Sequence, residues 1–94
     1  MSRHVLVYTM PACTWCDVAK RMLTNAGIAY EAVDLKNAGI ALRDEFLERT
    51  KGARTVPQVV LVAGEKTRCV GGSDSLDAEA LTFIRQFQSE EVDL

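Results

Sequence analysis

The stretch MPACTWCDVAK, residues 10–20, sets Cys13 and Cys16 three positions apart, behind a proline and ahead of a run with helical spacing. Such a pair serves three chemistries: half of a metal site, a structural disulfide, or a dithiol that opens and closes in turn. Its flanks bear on the choice. Upstream, His4 to Thr9 (HVLVYT) is apolar and β-branched and stops at Pro11, which reads as a buried strand. Downstream, Val18, Ala19, Met22, Leu23 and Ala26 recur at helical spacing, and Gly27 stands where a helix end favours a left-handed residue. The two thiols therefore sit at a strand-to-helix junction.

The pattern continues through the chain. Tyr30 to Leu35 alternates like a second strand, and Asn37 is placed to cap a second helix, with Leu42, Phe46 and Leu47 on its inner face and Gly52 near its end. Gln58 to Ala63 and Lys66 to Val70 flank the Gly64-Glu65 turn as a hairpin. Gly71 and Gly72 break the last strand. Ser73 to Gln88 then reads as a helix with Leu76, Ala80, Leu81, Ile84 and Phe87 inward, followed by a frayed acidic tail, residues 89–94. The order β-α-β-α-β-β-α begins with a unit whose strands must be parallel, joined by a right-handed crossover. The expectation is an α/β fold over residues 1–88, a four-stranded mixed sheet flanked by three helices.

Composition narrows the function. The chain has 94 residues, enough for one domain, and its 11 basic and 13 acidic side chains form no basic stripe, which argues against nucleic-acid binding. The apolar run before Pro11 is too short for a signal peptide, and a membrane helix needs roughly twenty apolar residues. The expectation is a cytoplasmic monomer, in a compartment that keeps thiols reduced.

In that setting an odd count of three cysteines argues against a disulfide framework, and a Cys13–Cys16 bridge closes too small a loop to stabilise the fold much. Zinc usually needs a second ligand pair, and Cys69, His4 and scattered carboxylates match no common zinc spacing, so no metal site is expected. His4 reads as a structural or edge residue, and Cys69 as a buried inert thiol, with glutathionylation or dimerisation as its alternative. A C-x-x-C after the first strand of a β-α-β unit reads as a redox motif. Cys13 would lie just ahead of the unsatisfied helix amides, which favour its thiolate, so it is expected to attack. Cys16, one turn inside, is expected to resolve the mixed disulfide.

Three separated stretches then carry a resemblance: YTMPACTWC at 8–16, TVP at 55–57 and GGSD at 71–74. Across residues 3–88 the chain resembles a glutaredoxin, of the thioredoxin-fold superfamily. The resemblance implies a glutathione-dependent oxidoreductase that reduces protein disulfides and glutathione mixed disulfides. It implies a cis bond before Pro57, and backbone contacts from Val56 to the cysteinyl part of glutathione, in the Thr55-Val56-Pro57 segment. It further implies that the amides of Gly72, Ser73 and Asp74 and the Ser73 hydroxyl hold the γ-glutamyl carboxylate, while the Asp74 carboxylate takes the ammonium. Trp15 would form part of the groove wall beside Cys13.

The sequence also departs from that family. Met10 and Asp44 stand where a lysine and a polar contact are common, so the glycine carboxylate of glutathione would need another cation. Arg43 and Arg54 are the nearest candidates. Cys13-Thr14-Trp15-Cys16 lacks the usual proline, a change associated in the family with iron–sulfur clusters. Two alternatives follow: a donor linked to thioredoxin reductase and serving ribonucleotide reductase, or a dimeric carrier of a 2Fe–2S cluster held by Cys13 of each chain and two glutathiones.

Overall fold

The computed structural model describes residues 2–94. Its elements are β1 (Arg3–Thr9), α1 (Thr14–Asn25), β2 (Glu31–Asp34), α2 (Ile40–Thr50), β3 (Gln58–Ala63), β4 (Lys66–Gly71), a 3-10 turn (Ser73–Ser75) and α3 (Ala78–Gln88). The sheet runs β2-β1-β3-β4, with β1 parallel to β2 and both remaining pairs antiparallel. This is the mixed four-stranded sheet with three helices that the sequence predicts.

Strand alternation splits the core in two. Val5 and Val7 of β1 and Val59, Leu61 and Ala63 of β3 face α1 and α3, where they meet Ala19, Leu23, Ile84 and Phe87. Leu6, Tyr8, Val60 and Val62 face α2 and pack on Phe46. Because β1 and β3 are covered on both faces, they read as continuous apolar runs rather than alternating ones. Among the described residues, no helix is long and apolar enough to cross a membrane.

Three expectations about the helices are corrected. Asn37 does not cap α2; it adopts a left-handed φ of 61° inside a turn where Asp34 Oδ1 accepts the Lys36 N–H at 2.8 Å, and Gly39 is the N-cap. Leu47, expected inward, is 45% exposed, because Phe46 and Thr50 take the buried face. The last helix begins at Ala78 rather than Ser73, since Asp77 accepts the Ala80 N–H at 2.8 Å and caps it there.

The acidic tail is docked rather than frayed. Val92 and Leu94 pack against the first core cluster. Arg3, whose side chain is only 12% exposed, donates to the carbonyl of Phe87 at 2.8 Å, to that of Val92, and to Asp93 Oδ1 at 2.7 Å. Its guanidinium also lies 5.0 Å from the Phe87 ring centroid. His4 sits on a central strand rather than an edge, sharing hydrogen bonds with Ser2 Oγ at 2.8 Å and Glu31 Oε1 at 3.3 Å.

Candidate functional site

Chain geometry turns sharply between β1 and α1. Ala12 takes a left-handed φ of 56°, and Cys13 returns to extended backbone as the N-cap of α1. Its Sγ accepts the N–H of Cys16 at 3.1 Å. The N–H groups of Thr14 and Trp15 belong to the first helical turn, where no intrahelical acceptor exists. Cys13 and Cys16 are joined as a disulfide with a Cα–Cα distance of 5.2 Å. The two sulfurs differ in access: Cys16 is 0% exposed, whereas Cys13 is half-buried.

Beside this pair runs an open groove of about 550 Å³. Its walls are Trp15, Val18 and Met22 of α1, then Thr55, Val56 and Pro57, then Gly72, Ser73 and Asp74. The bond between Val56 and Pro57 is cis. Residues from three distant segments thus meet in one place. Cys13 does not line the groove, whereas Trp15, two residues on and 65% exposed, does. Sequence reasoning places Val18 and Met22 on the helical run after Cys16 and not at the site. The signal for them was present, since residues 15, 18 and 22 share one helical stripe.

The glycine pair explains how the third segment fits. Gly71 has a φ of 116°, and a Cβ there would meet Ser75 Oγ at 2.8 Å. At Gly72 a Cβ would lie 3.3 Å from both the Pro57 carbonyl oxygen and Asp74 Oδ1. The turn that follows is a single 3-10 turn, so the expected α-helical N-terminus is absent. The N–H groups of Ser73 and Asp74 still lead that turn without a partner inside it.

A second depression of about 340 Å³ adjoins the first and shares Thr55 and Val56 with it. Met10, Arg43, Leu47 and Arg54 also line it, and Asp44 does not. Arg43 is tethered, its Nε and Nη2 each 3.4 Å from a backbone carbonyl, those of Ala38 and Leu35. Arg54 is exposed and, among the described residues, has no side-chain hydrogen bond or ion pair.

Cys69, half-buried on β4, packs on the α2 side of the sheet. Burial pushes its thiol up from the ordinary value, against the opposing pull of the Gly71 N–H and the Lys51 charge. A larger hollow of about 780 Å³ between β4 and α3 contains neither Cys13 nor Cys16. Among the described residues, no three His, Cys, Asp or Glu side chains converge as a metal cluster would need.

The sequence model of the family described as Glutaredoxin matches residues 5–66. Glutaredoxin 1 of Rickettsia conorii is 32% identical over 72 residues, covering 77% of this chain and 67% of its own length. Glutaredoxin 3 of Escherichia coli K12 is 32% identical over 75 residues, covering 80% and 83%. A crystal structure of a buckwheat glutaredoxin–glutathione complex superposes with a TM-score of 0.67 at 22% identity, covering 94% of this chain and 78% of that one. That last likeness is one of fold. The family match spans the strand-to-helix junction that carries the dithiol. The chain belongs to the glutaredoxin family of thiol–disulfide oxidoreductases, with Cys13 and Cys16 as its redox-active pair.

Proposed function

We propose that the protein is a glutathione-dependent thiol–disulfide oxidoreductase in which Cys13 attacks and Cys16 resolves. The single observation that carries this reading is the groove, which brings Trp15, Thr55 to Pro57 and Gly72 to Asp74 together beside the dithiol. The buckwheat relative binds glutathione, and the same ligand suits this groove chemically. The backbone of Val56 is offered to the cysteinyl part as a short strand addition. Unpartnered amides at Ser73 and Asp74, with the Ser73 hydroxyl, suit the γ-glutamyl carboxylate. Asp74, exposed and with no ion pair among the described residues, suits the ammonium. For the glycine carboxylate Arg54 is the better cation, because Arg43 already spends donors on two carbonyls.

The electron flow balances as follows. The Cys13 thiolate attacks one sulfur of a substrate disulfide and expels the other as a thiolate, which takes up a proton. The Cys16 thiolate then attacks Cys13 Sγ, releasing the second substrate thiol and leaving the Cys13–Cys16 disulfide. Two glutathione molecules reverse this, the first opening the disulfide and the second leaving with it as glutathione disulfide. On a glutathione mixed disulfide Cys13 alone suffices. The burial of Cys16 and the partial exposure of Cys13 favour this assignment, as does the Cys16 N–H that helps hold a negative sulfur at Cys13.

A 2Fe–2S cluster wants four thiolates. With Cys16 enclosed and Cys69 set apart on β4, one chain offers only Cys13 to a bridging metal. That one thiolate is what a cluster shared by two chains and two glutathiones would draw from each chain, where it would supply electron-transfer or carrier chemistry, and no step of the reaction above runs through it.

The test is reduction of a small glutathione mixed disulfide, coupled in turn to glutathione with its reductase and to thioredoxin reductase. Turnover with the glutathione system supports the proposal. Turnover only with thioredoxin reductase overturns it and points instead to a donor for a protein such as ribonucleotide reductase.

A further inference from the structure

Gln58, the first residue of β3, lines neither depression, yet its carboxamide connects the ridge between them to Cys69. Its Nε2 lies 3.1 Å from the carbonyl oxygen of Thr55 and 3.4 Å from Thr55 Oγ1. Its Oε1 lies 3.6 Å from Cys69 Sγ. One orientation satisfies all three contacts. The amide NH₂ donates to both Thr55 oxygens, and Oε1 accepts from the thiol of Cys69, a weak donor. Burial keeps that thiol protonated and therefore able to donate.

Thr55 and Val56 form the wall common to both depressions. Among the described residues, no other side chain and no loop or turn backbone group hydrogen-bonds to residues 54–57. The segment that presents the Val56 backbone packs Val56 on the second core cluster, and outside the strand ladder it is hydrogen-bonded through this one carboxamide.

We propose that Gln58 is a positioning residue that fixes the Thr55–Val56 ridge for the ligand, with the Cys69 thiol orienting its amide; the ligand's identity rests on the glutathione reading above. Without the tie the ridge must be ordered during binding, which weakens binding and spares the sulfur chemistry. The experiment compares Gln58→Met, Cys69→Ala and Cys69→Ser in steady-state kinetics on a glutathione mixed disulfide, together with amide ¹⁵N order parameters of the ligand-free protein. Gln58→Met should raise KM by about three- to tenfold, the worth of a hydrogen bond or two, with kcat held within about twofold. The order parameters of Thr55 and Val56 should fall. Cys69→Ala should raise KM about twofold, and Cys69→Ser, which restores a donor, should not. Should Gln58→Met fail to fold, Gln58→Glu removes the same NH₂ at nearly constant shape. An unchanged KM and unchanged order parameters, or a loss confined to kcat, overturns the proposal. If the wild type shows no turnover with glutathione, the ligand reading fails, and the order parameters alone still decide the role of Gln58.

Discussion

Replacing Asp74 by asparagine keeps the side chain's shape and removes its charge. The carboxylate is exposed at the edge of an open groove and leans over Gly72, where a Cβ would lie 3.3 Å from its Oδ1. A hydrogen bond to a charged group is worth about 1.5–3 kcal/mol, whereas a fully solvated ion pair is worth no more than about 1. Exposure puts this contact at the lower end, about 1 kcal/mol, or roughly fivefold in affinity. The assay is calorimetric titration with S-methylglutathione, which cannot enter disulfide exchange, run beside an analogue that lacks the α-amino group. Asp74→Asn should bind S-methylglutathione roughly fivefold more weakly and the deaminated analogue no more weakly than wild type does. The difference should shrink at high salt. Equal weakening toward both ligands, or none toward either, would refute the pairing of Asp74 with the ammonium.

Cys13→Ser should abolish disulfide reduction, while Cys16→Ser should keep activity on glutathione mixed disulfides and lose dithiol reduction of proteins; exchanged phenotypes in those two assays would reverse the roles. Gly71→Ala should destabilise the fold by roughly 2–3 kcal/mol in urea unfolding, since a positive φ and a collision with Ser75 act together. Arg3→Ala should cost roughly 2 kcal/mol, about 10 °C in Tm, because it unfastens Phe87, Val92 and Asp93 at once. The raised Cys69 pKa stabilises the fold below the unfolded thiol's value, and that contribution is lost as pH climbs beyond the ordinary 9.0. The urea midpoint of the oxidised wild type should therefore fall more between pH 8 and 10.5 than that of Cys69→Ser.

What the sequence made legible was local or doubly buried. β1 and β3 could be read because both their faces are covered, and the dithiol because strand, proline and helix adjoin it. The errors lie where two local signals compete or where the partner is far along the chain. Asn37 offered a start to α2, but the Asp34 turn takes it up and Gly39 caps the helix instead. Ser73 offered a start to the last helix, but Asp77 caps it through its hydrogen bond to the Ala80 N–H. The tail looked unattached because its anchor, Arg3, sits at the other end of the sequence. The groove needed the family resemblance, since no local pattern joins Trp15 to Thr55 and Ser73. Gln58 stayed invisible because its role depends on a contact across the β3–β4 pair.

The division of labour proposed for the two sulfurs follows from how α1 is striped. Residues 16, 19 and 23 face the core and are fully enclosed, so Cys16 is held by the same packing as Ala19 and Leu23. Residues 15, 18 and 22, one position out of phase, face the groove. A single helix thus gives the resolving sulfur a rigid inner seat and the ligand an outer wall. Cys13 belongs to neither stripe, because as N-cap it precedes the helix. The N-cap side chain reaches the amide three residues on, as a capping serine or aspartate would, and here that amide belongs to Cys16. The C-x-x-C spacing is therefore a capping spacing. The contact that favours a charged sulfur at Cys13 also brings its partner within bonding reach, and lengthening the spacing by one residue should lose both together.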